Sequence, residues 1–495
     1  MGSLLVAGTT SDAGKTVVVT GLCRALARRG VRVAPYKAQN MSNNSMVTRD
    51  GAEIGRAQWI QAVAAHAEPE VAMNPVLLKP GSDRRSHVVV NGRPDGELSA
   101  AAFAGQRGAL AQAAFEAYDD LRKRYDVVVC EGAGSPAEIN LREWDYVNMG
   151  LARHGHIPTV LVGDIDRGGV FAAMYGTVAL LEAADQALIG GMIVNRFRGD
   201  ERLLRPGLAT LEQRTGRPVL GVVPWLPELW LDAEDALAVE ARPPVRADDP
   251  VLRVAVVRLP RISNFTDIDA LCLEPGLEVR YVSDPRRVGD ADIVVVPGTR
   301  ATIADLAWMR ARGLAEAVAD HADRGGVVLG ICGGMQLLGR EIDDPHGIEG
   351  PAGTRVDGLG LVDVRTEFTP DKRLGLPSGH ALGAAAAGYE IHHGRITLGA
   401  VEPFLDGARD GAVFTTMWHG SLEGDEFRRA WLNEVAALVG RTGYRPSAEV
   451  SFGAAREARI DALADALETH VDLDAVLGLI ENGVPELPVL PGGHR

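Results

Sequence analysis

The chain has 495 residues, 46% hydrophobic and 24% charged, the balance of a globular enzyme with two or three domains. A formal charge of −15 argues against non-specific nucleic-acid binding and requires any anionic ligand to be met by locally gathered Arg and Lys. No apolar run is long enough to span a bilayer, no basic region followed by a long apolar core marks a signal peptide, and the four cysteines (Cys23, Cys130, Cys272, Cys332) form no CxxC pair. The expectation is a cytoplasmic protein without a nucleic-acid or membrane partner, a disulfide framework or a zinc site.

In chain order, residues 4–7, 31–35, 127–130, 159–162 and 192–194 are short β-rich runs of the buried parallel type, separated by helical patterns. Residues 16–29 read as a helix that ends in basic residues and is closed by Gly30. This alternation predicts a doubly wound α/β domain over 1–240. Prolines and charges without periodicity predict an exposed linker at 241–250. A second α/β domain, 251–440, is expected to carry strands at 254–257, 293–296 and 327–329. The remainder, 441–495, reads as a helical segment whose Ile460, Leu463, Leu467 and Val471 share one apolar face, a packing surface.

The first strand runs into Gly8-Thr9-Thr10-Ser11-Asp12-Ala13-Gly14-Lys15-Thr16 and then a helix. A glycine-rich loop in that setting turns backbone N–H groups toward phosphate oxygens. It is one residue longer than the common GxxxxGK[ST] pattern. Gly8, Thr9, Asp12, Gly14, Lys15 and Thr16 are the candidate nucleotide-binding residues. Lys15 would reach the β- and γ-phosphates and Thr16 would hold Mg²⁺. The strand at 127–130 ends in Glu131-Gly-Ala-Gly134, which makes Glu131 the second candidate Mg²⁺ ligand, directly or through water.

A different chemistry is written at residues 330–336, Gly-Ile-Cys-Gly-Gly-Met-Gln, directly after the apolar run 327–329. Gly-x-Cys-x-Gly after a buried strand places a nucleophile on a sharp strand-to-helix turn. The following helix points its positive end at the Cys332 sulfur. A thiol nucleophile needs a base. The second domain offers His321, His346, His380, His392, His393 and His419, of which His419 follows a β-type stretch and would sit at the carboxyl end of a strand, where open α/β sheets place their sites. Gly298 and Gly333 are candidate oxyanion donors through their backbone N–H groups.

Together these pieces resemble a glutamine amidotransferase of the Cys-His thiol class. Trp418-His419-Gly420-Ser421-Leu422-Glu423 resembles the segment that carries the base in such enzymes. The acid commonly found two residues after that histidine is absent, since Ser421 stands there. Glu423 or Glu390 would then orient the imidazole, or the site would work as a dyad. The longer phosphate loop and Glu-Gly-Ala-Gly resemble the dethiobiotin synthetase group of ATP-dependent ligases. That domain ahead of this amidotransferase type is characteristic of cobyrinate-amidating enzymes. The a,c-diamide synthase type carries Gly-Pro-Asp-(Tyr/Phe)-Ile-Asp-Pro after its second strand. Here the place holds Tyr36-Lys-Ala-Gln-Asn-Met-Ser-Asn-Asn-Ser45. With Leu78-Lys79-Pro80, Ser82-Asp83-Arg84, residues 163–171 and Asn195-Arg-Phe-Arg-Gly-Asp200, this segment closely resembles the CobQ (cobyric acid synthase) family of glutamine-dependent amidotransferases.

The resemblance implies an α/β protein of two doubly wound domains, a P-loop ligase domain and a class I glutamine amidotransferase-like domain, with a helical tail. It implies ATP- and glutamine-dependent amidation of the b, d, e and g carboxylates of adenosylcobyrinic acid a,c-diamide, with Mg²⁺ and no permanently bound cofactor. ATP would activate each carboxylate. Cys332 and His419 would release ammonia from glutamine along a sheltered path between the domains. Lys79, Arg84, Arg85, Arg167, Arg196 and Arg198 are candidate partners of the corrinoid polycarboxylate, since Arg forks suit carboxylates. Asp164 and Asp166 are candidates for metal or substrate. Alternatives that remain are the a,c-diamide synthase activity, another ATP-dependent carboxylate amidotransferase, and a ParA-like nucleotide switch fused to a binding domain. The sequence leaves open whether the chain forms a homo-oligomer.

Overall fold

The computed structural model describes residues 2–82, 85–99, 103–226 and 252–491. The expected linker at 241–250, the boundary at 240 and Arg84 lie outside the described residues. Two parallel sheets organise the rest, as the buried Val- and Ile-rich runs require, because a strand apolar on both faces must be covered on both.

The first sheet has six strands in the order Val219–Pro224, Ile189–Phe197, Thr159–Asp164, Gly2–Gly8, Val127–Glu131, Val33–Tyr36, all parallel. Gly2–Gly8 is central, flanked by the strands that end in Glu131 and Asp164. Both acids therefore emerge beside the phosphate loop, at the carboxyl end where ligands of open α/β sheets bind. Helix Lys15–Arg28 starts directly after the loop and ends at the left-handed Gly30, φ 79°. Residues 36–99 leave the sheet to form a four-stranded satellite sheet and a short hairpin, Ser45–Val47 paired with Glu53–Gly55.

The second sheet has the order Leu277–Val282, Leu252–Val257, Ile293–Val296, Val327–Ile331, Val413–Thr416, all parallel, and closes with the antiparallel Gly407–Asp410 and Glu402–Phe404. A separate four-stranded sheet includes Val364–Gly375 and Glu390–Leu398 and reaches back toward the first unit. The strands read from sequence all exist, with ends displaced by up to about three residues, the usual uncertainty of boundaries.

The C-terminal segment forms helices Phe452–His470 and Leu473–Asn482. Phe452, at its start, joins the core of the unit that precedes it in sequence, and the rest of the segment packs on the first unit. Ile460, Leu463 and Leu467 are buried, and Ile460, Ala464, Leu467, Val476 and Leu479 share a core with Val18, Val19 and Leu22 of helix Lys15–Arg28. Leu467 and Leu463 also fill the space over Gly21, which has room for no side chain. Val471 lies just past the helix, extended, and bridges to Gly221 instead of continuing the helical face. Arg24 pairs with Glu457 at 2.6 Å and Asp461 at 3.1 Å, fixing the helix pair in register.

Leu467→Ala should cost about 2–5 kcal/mol by loss of transfer free energy and creation of a cavity. The unfolding transition that lowers its midpoint should be the one raised by added nucleotide. A shift confined to the other transition would show that the helix serves the second unit.

Candidate active site

At the phosphate end, Gly14 adopts φ 93°, and a Cβ there would stand 1.9 Å from Asn195 Nδ2. That amide donates to Ala13 O at 3.0 Å, so the loop is seated against strand Ile189–Phe197 and only glycine fits. Lys15 Nζ donates to Thr10 O at 3.0 Å and Gly134 O at 3.2 Å, which holds the ammonium over the loop. Thr9 donates its backbone N–H to Val162 O. Asp12, itself left-handed at φ 57°, faces outward to Arg167 at 3.3 Å.

Glu131 is fully buried. Its Oε1 accepts from Thr16 Oγ1 at 2.8 Å and Lys37 Nζ at 2.9 Å, and its Oε2 accepts from Gln61 Nε2 at 2.5 Å. Burial pushes the carboxyl pKa up, but the Lys37 charge and these hydrogen bonds outweigh it and hold the group ionised. The Thr16 hydroxyl and the Glu131 carboxylate are adjoining hard oxygen donors of the kind Mg²⁺ takes, so the expected pair fits the ion. Lys37 already balances the Glu131 charge, which suits contact through water. Lys37 and Gln61 were missed in the sequence. Lys37 lay within the quoted segment 36–45, whereas Gln61 carries no motif.

The expected anion partners divide. Arg196 Nη1 pairs with Asp164 at 2.8 Å, Arg167 Nε stands 3.5 Å from the same acid, and Arg198 pairs with Asp166 at 3.0 Å while lying over the Trp225 ring at 3.8 Å. These groups gather around the phosphate loop at one sheet end. Lys79 is buried, and its Nζ donates to Glu53 Oε1 at 2.6 Å and Ser45 Oγ at 2.8 Å, so its charge is balanced inside the protein.

At the thiol end, strand Val327–Ile331 delivers Cys332 at φ 52°, ψ −108°, and helix Gly333–Leu338 begins at once. A non-glycine residue held there stores roughly 1–3 kcal/mol of strain, and such strain clusters at functional sites. Cys332 is buried but retains 7% exposure. His419 follows strand Val413–Thr416, stacks on Tyr389 at 5.3 Å and lies near enough to Cys332 for the two side chains to interact electrostatically. Gly298, after strand Ile293–Val296, packs so close that a Cβ would stand 2.8 Å from His419 Cε1. Gly333 lies against Thr299 at the start of the helix.

The group that orients His419 is Asp267, on the 3₁₀ turn Phe265–Ile268. Its Oδ2 lies 2.7 Å from His419 Nδ1, and its Oδ1 accepts the Gly420 N–H at 2.7 Å. Neither Glu423 nor Glu390 does this, and the dyad expectation falls with them. Glu423 binds Arg56 at 2.8 Å and Arg456 at 2.7 Å, and Glu390 accepts from Trp418 Nε1 at 3.1 Å. Burial pulls the His419 pKa down, but the Asp267 and Cys332 charges overcome it and raise it to about 10. The imidazole therefore stays protonated at neutral pH, facing the sulfur. Beside it lies a second polar set. Gln336 is buried one turn beyond Cys332, its Nε2 has no partner among the described residues, and Thr302 Oγ1 links its Oε1 (3.2 Å) to Glu349 (3.1 Å). Burial pushes the Glu349 pKa up to about 7.

Comparison with known proteins fits this geometry. Residues 4–238 match the CobQ/CobB/MinD/ParA nucleotide binding domain, and residues 253–427 match the CobB/CobQ-like glutamine amidotransferase domain. Curated proteins called cobyric acid synthase are 65% identical in Mycolicibacterium gilvum, over 100% of both chains, and 64% identical in Mycobacterium tuberculosis, over 99% of both. One in Mycobacterium ulcerans is 62% identical over 100% of both chains. No helix of the described residues is long and apolar enough to cross a membrane.

Asp267→Asn should lower the turnover of glutamine hydrolysis by about 10²-fold or more, the usual worth of a positioned acid–base group. It should also move the alkaline limb of kcat/KM for glutamine to lower pH. The sign follows because Asp267 raises the His419 pKa and its loss withdraws charge that stabilises the imidazolium. An unchanged limb in a pH–rate profile would remove Asp267 from the site.

Proposed function

Because the chain belongs to the cobyric acid synthase family, we propose that it amidates the b, d, e and g carboxylates of adenosylcobyrinic acid a,c-diamide, taking nitrogen from glutamine and activating each carboxylate with ATP. The observation that carries the reading is the coexistence in one chain of a complete Cys332–His419–Asp267 arrangement and a phosphate loop with its own buried acid, Glu131.

A carboxylate is a poor electrophile toward ammonia in water. Phosphoryl transfer from ATP makes it an acyl phosphate with a good leaving group. Backbone N–H groups of the loop and the Lys15 ammonium neutralise charge on the moving phosphoryl group. Thr16 and Glu131 would hold Mg²⁺, which supplies further charge neutralisation when bound. Arg167, Arg196 and Arg198 stand at the same strand ends, where a polycarboxylate has to enter, and their present partners Asp12, Asp164 and Asp166 are side chains that a substrate carboxylate can replace.

At the other site the Cys332 sulfur attacks the glutamine side-chain amide. The developing oxyanion is met by the N–H groups of Gly298 and Gly333, and the Gln336 amide is a free donor for the polar end of the amino acid. His419 gives its proton to the departing ammonia, forming a thioester, and then takes a proton from the water that releases glutamate. Asp267 fixes the ring through Nδ1 and so directs the other nitrogen at the sulfur. The interior between the sites would shelter ammonia from protonation.

Cys332→Ala should abolish glutamine-driven synthesis and spare synthesis with added ammonium, whereas Lys15→Ala should abolish both. Mass spectrometry of the corrinoid product, one stepwise change for each amide, reads the outcome. Full ammonium-driven activity in Lys15→Ala, or equal loss of both activities in Cys332→Ala, would overturn the assignment.

A further inference from the structure

The turn Ile139–Trp144 follows the strand that ends in Glu131, and none of its residues is buried. Ile139, Leu141 and Trp144 are 57%, 45% and 44% exposed, so three large apolar side chains face water within six residues. Scattered singly such side chains need no explanation, but gathered on one turn they mark a binding surface. The turn is anchored. Arg142 is held by the fully buried Asp185 through two hydrogen bonds, at 2.6 and 2.8 Å. Directly after it, Asp145 accepts the N–H groups of Val147, Asn148 and Gly150 at 2.9, 2.8 and 3.1 Å. A Cβ on Gly150 would stand 1.7 Å from Asp145 O, so the chain is tightly packed there. A fixed element that turns its apolar groups to water gains nothing from them in folding.

Beside the turn lies an open cavity of about 150 Å³, whose walls include Gln39, Arg107, Ala133, Trp144, Tyr146 and Asn148. It adjoins the phosphate end, because Gly134, the residue after Ala133, accepts from Lys15 Nζ at 3.2 Å. Tyr146 donates to Gln39 Oε1, and the Arg107 guanidinium lies over the Trp144 ring at 5.7 Å, a cation beside the apolar surface. Asn148 is buried. Its Nδ2 donates to Ala133 O at 2.7 Å, and its Oδ1 has no partner among the described residues. Of the acids in the lining, Asp145 is occupied by its three N–H groups and Glu138 is exposed to water, which screens it. A cavity of about 150 Å³ holds a molecule the size of benzene. The space therefore admits one short acidic arm and excludes a macrocycle, whose flat face has to rest on the apolar groups outside.

We infer that Ile139, Leu141 and Trp144 form the platform for one face of the corrin ring, while the cavity takes the carboxylate arm that is to be amidated and leads it toward Lys15. Arg107 pairs with a carboxylate of the ring edge, and Asn148 Oδ1 accepts an N–H of the incoming ammonia or of the new amide. The inference rests on the function proposed above and adds a surface for the ring itself. Neighbouring strands lie about 4.8 Å apart, so the strands ending in Glu131 and Asp164, one on each side of Gly2–Gly8, stand roughly 10 Å apart. A ring lying over the phosphate loop spans that gap, with Arg107 on one flank and Arg167 and Arg196 on the other.

The test measures binding of adenosylcobyrinic acid a,c-diamide to the full-length enzyme by equilibrium dialysis, read from the corrinoid absorbance. It also measures the KM values for the corrinoid acid and for ATP in ammonium-driven synthesis. Trp144→Ala should weaken corrinoid binding at least tenfold and raise that KM in proportion, with the KM for ATP within twofold. Trp144→Phe, which keeps a flat ring, should stay within threefold of the unaltered protein. Ile139→Asp sets a like charge against the polycarboxylate and should match Trp144→Ala. Both positions are exposed, so the variants should unfold at the temperature of the unaltered protein. Unchanged corrinoid affinity in either folded variant would overturn the inference. A raised KM for ATP with unchanged corrinoid affinity would do the same and give the turn to the adenine base. An unaltered protein that forms no amide from the corrinoid acid with ATP and ammonium would instead overturn the proposed function, so the two failures are distinct.

Discussion

A carboxylate with no exposure to water has to be satisfied by protein on both oxygens, and at Glu131 this requirement organises the nucleotide-binding unit. Its partners come from three elements that are remote in sequence: Thr16 from the helix after the phosphate loop, Lys37 from the segment leaving strand Val33–Tyr36, and Gln61 from helix Arg56–Ala64. If any one of them is displaced, an acceptor or a charge is stranded in the interior. The nearby thiols respond to the same surroundings. Cys23 and Cys130 are fully buried, and burial, joined for Cys23 by the Glu131 charge, pushes their pKa values far up, so they are inert packing where Cys332 is not.

The second site depends on a comparable exchange. Cys332 sits in an unfavourable backbone conformation, and the surroundings hold it there: its N–H donates to Thr416 O at 2.7 Å and its carbonyl accepts from Gln336 at 3.2 Å. Thr416 is the last residue of the strand that delivers His419. The hydrogen bond that anchors the nucleophile is therefore made by the element that aims the base, and a change in one is felt by the other. The His419 N–H and carbonyl exchange hydrogen bonds with Tyr389, closing the opposite flank.

How much of this was legible in the sequence depended on whether a function was local. The phosphate loop, the thiol elbow and the end of the strand before His419 are each written within about ten consecutive residues, because a strand, a tight turn and a helix N-terminus must be adjacent to work. Asp267 was not legible. It lies 152 residues before His419, on a turn with no periodicity, and meets the imidazole only because the segment after strand Leu252–Val257, bridged through Ile262 to Thr299, folds back over the site. The search for an acid near His419 in sequence therefore turned to Glu423, whose real partners are Arg56 and Arg456. The surroundings of Lys79 were not legible for a related reason, since nothing local announces that Glu53 and Ser45 enclose it. The apolar face at 460–467 was plain, but its target, helix Lys15–Arg28, lies more than 430 residues away and could not be read from the pattern.

That last pairing has a consequence for the order in which the molecule is made. Helix Lys15–Arg28 leaves the ribosome early, but the apolar groups that cover it, Ile460, Leu467 and Val476, are among the last to be synthesised. The amidotransferase unit, whose core extends to Tyr444 and Phe452, can close while the nucleotide-binding unit still exposes one face of its sheet-covering helix. Domains usually finish folding in the order of their synthesis. Here the first unit begun is the last completed, and until its final helices dock, Val18, Val19 and Leu22 present an open apolar surface of the kind that chaperones bind.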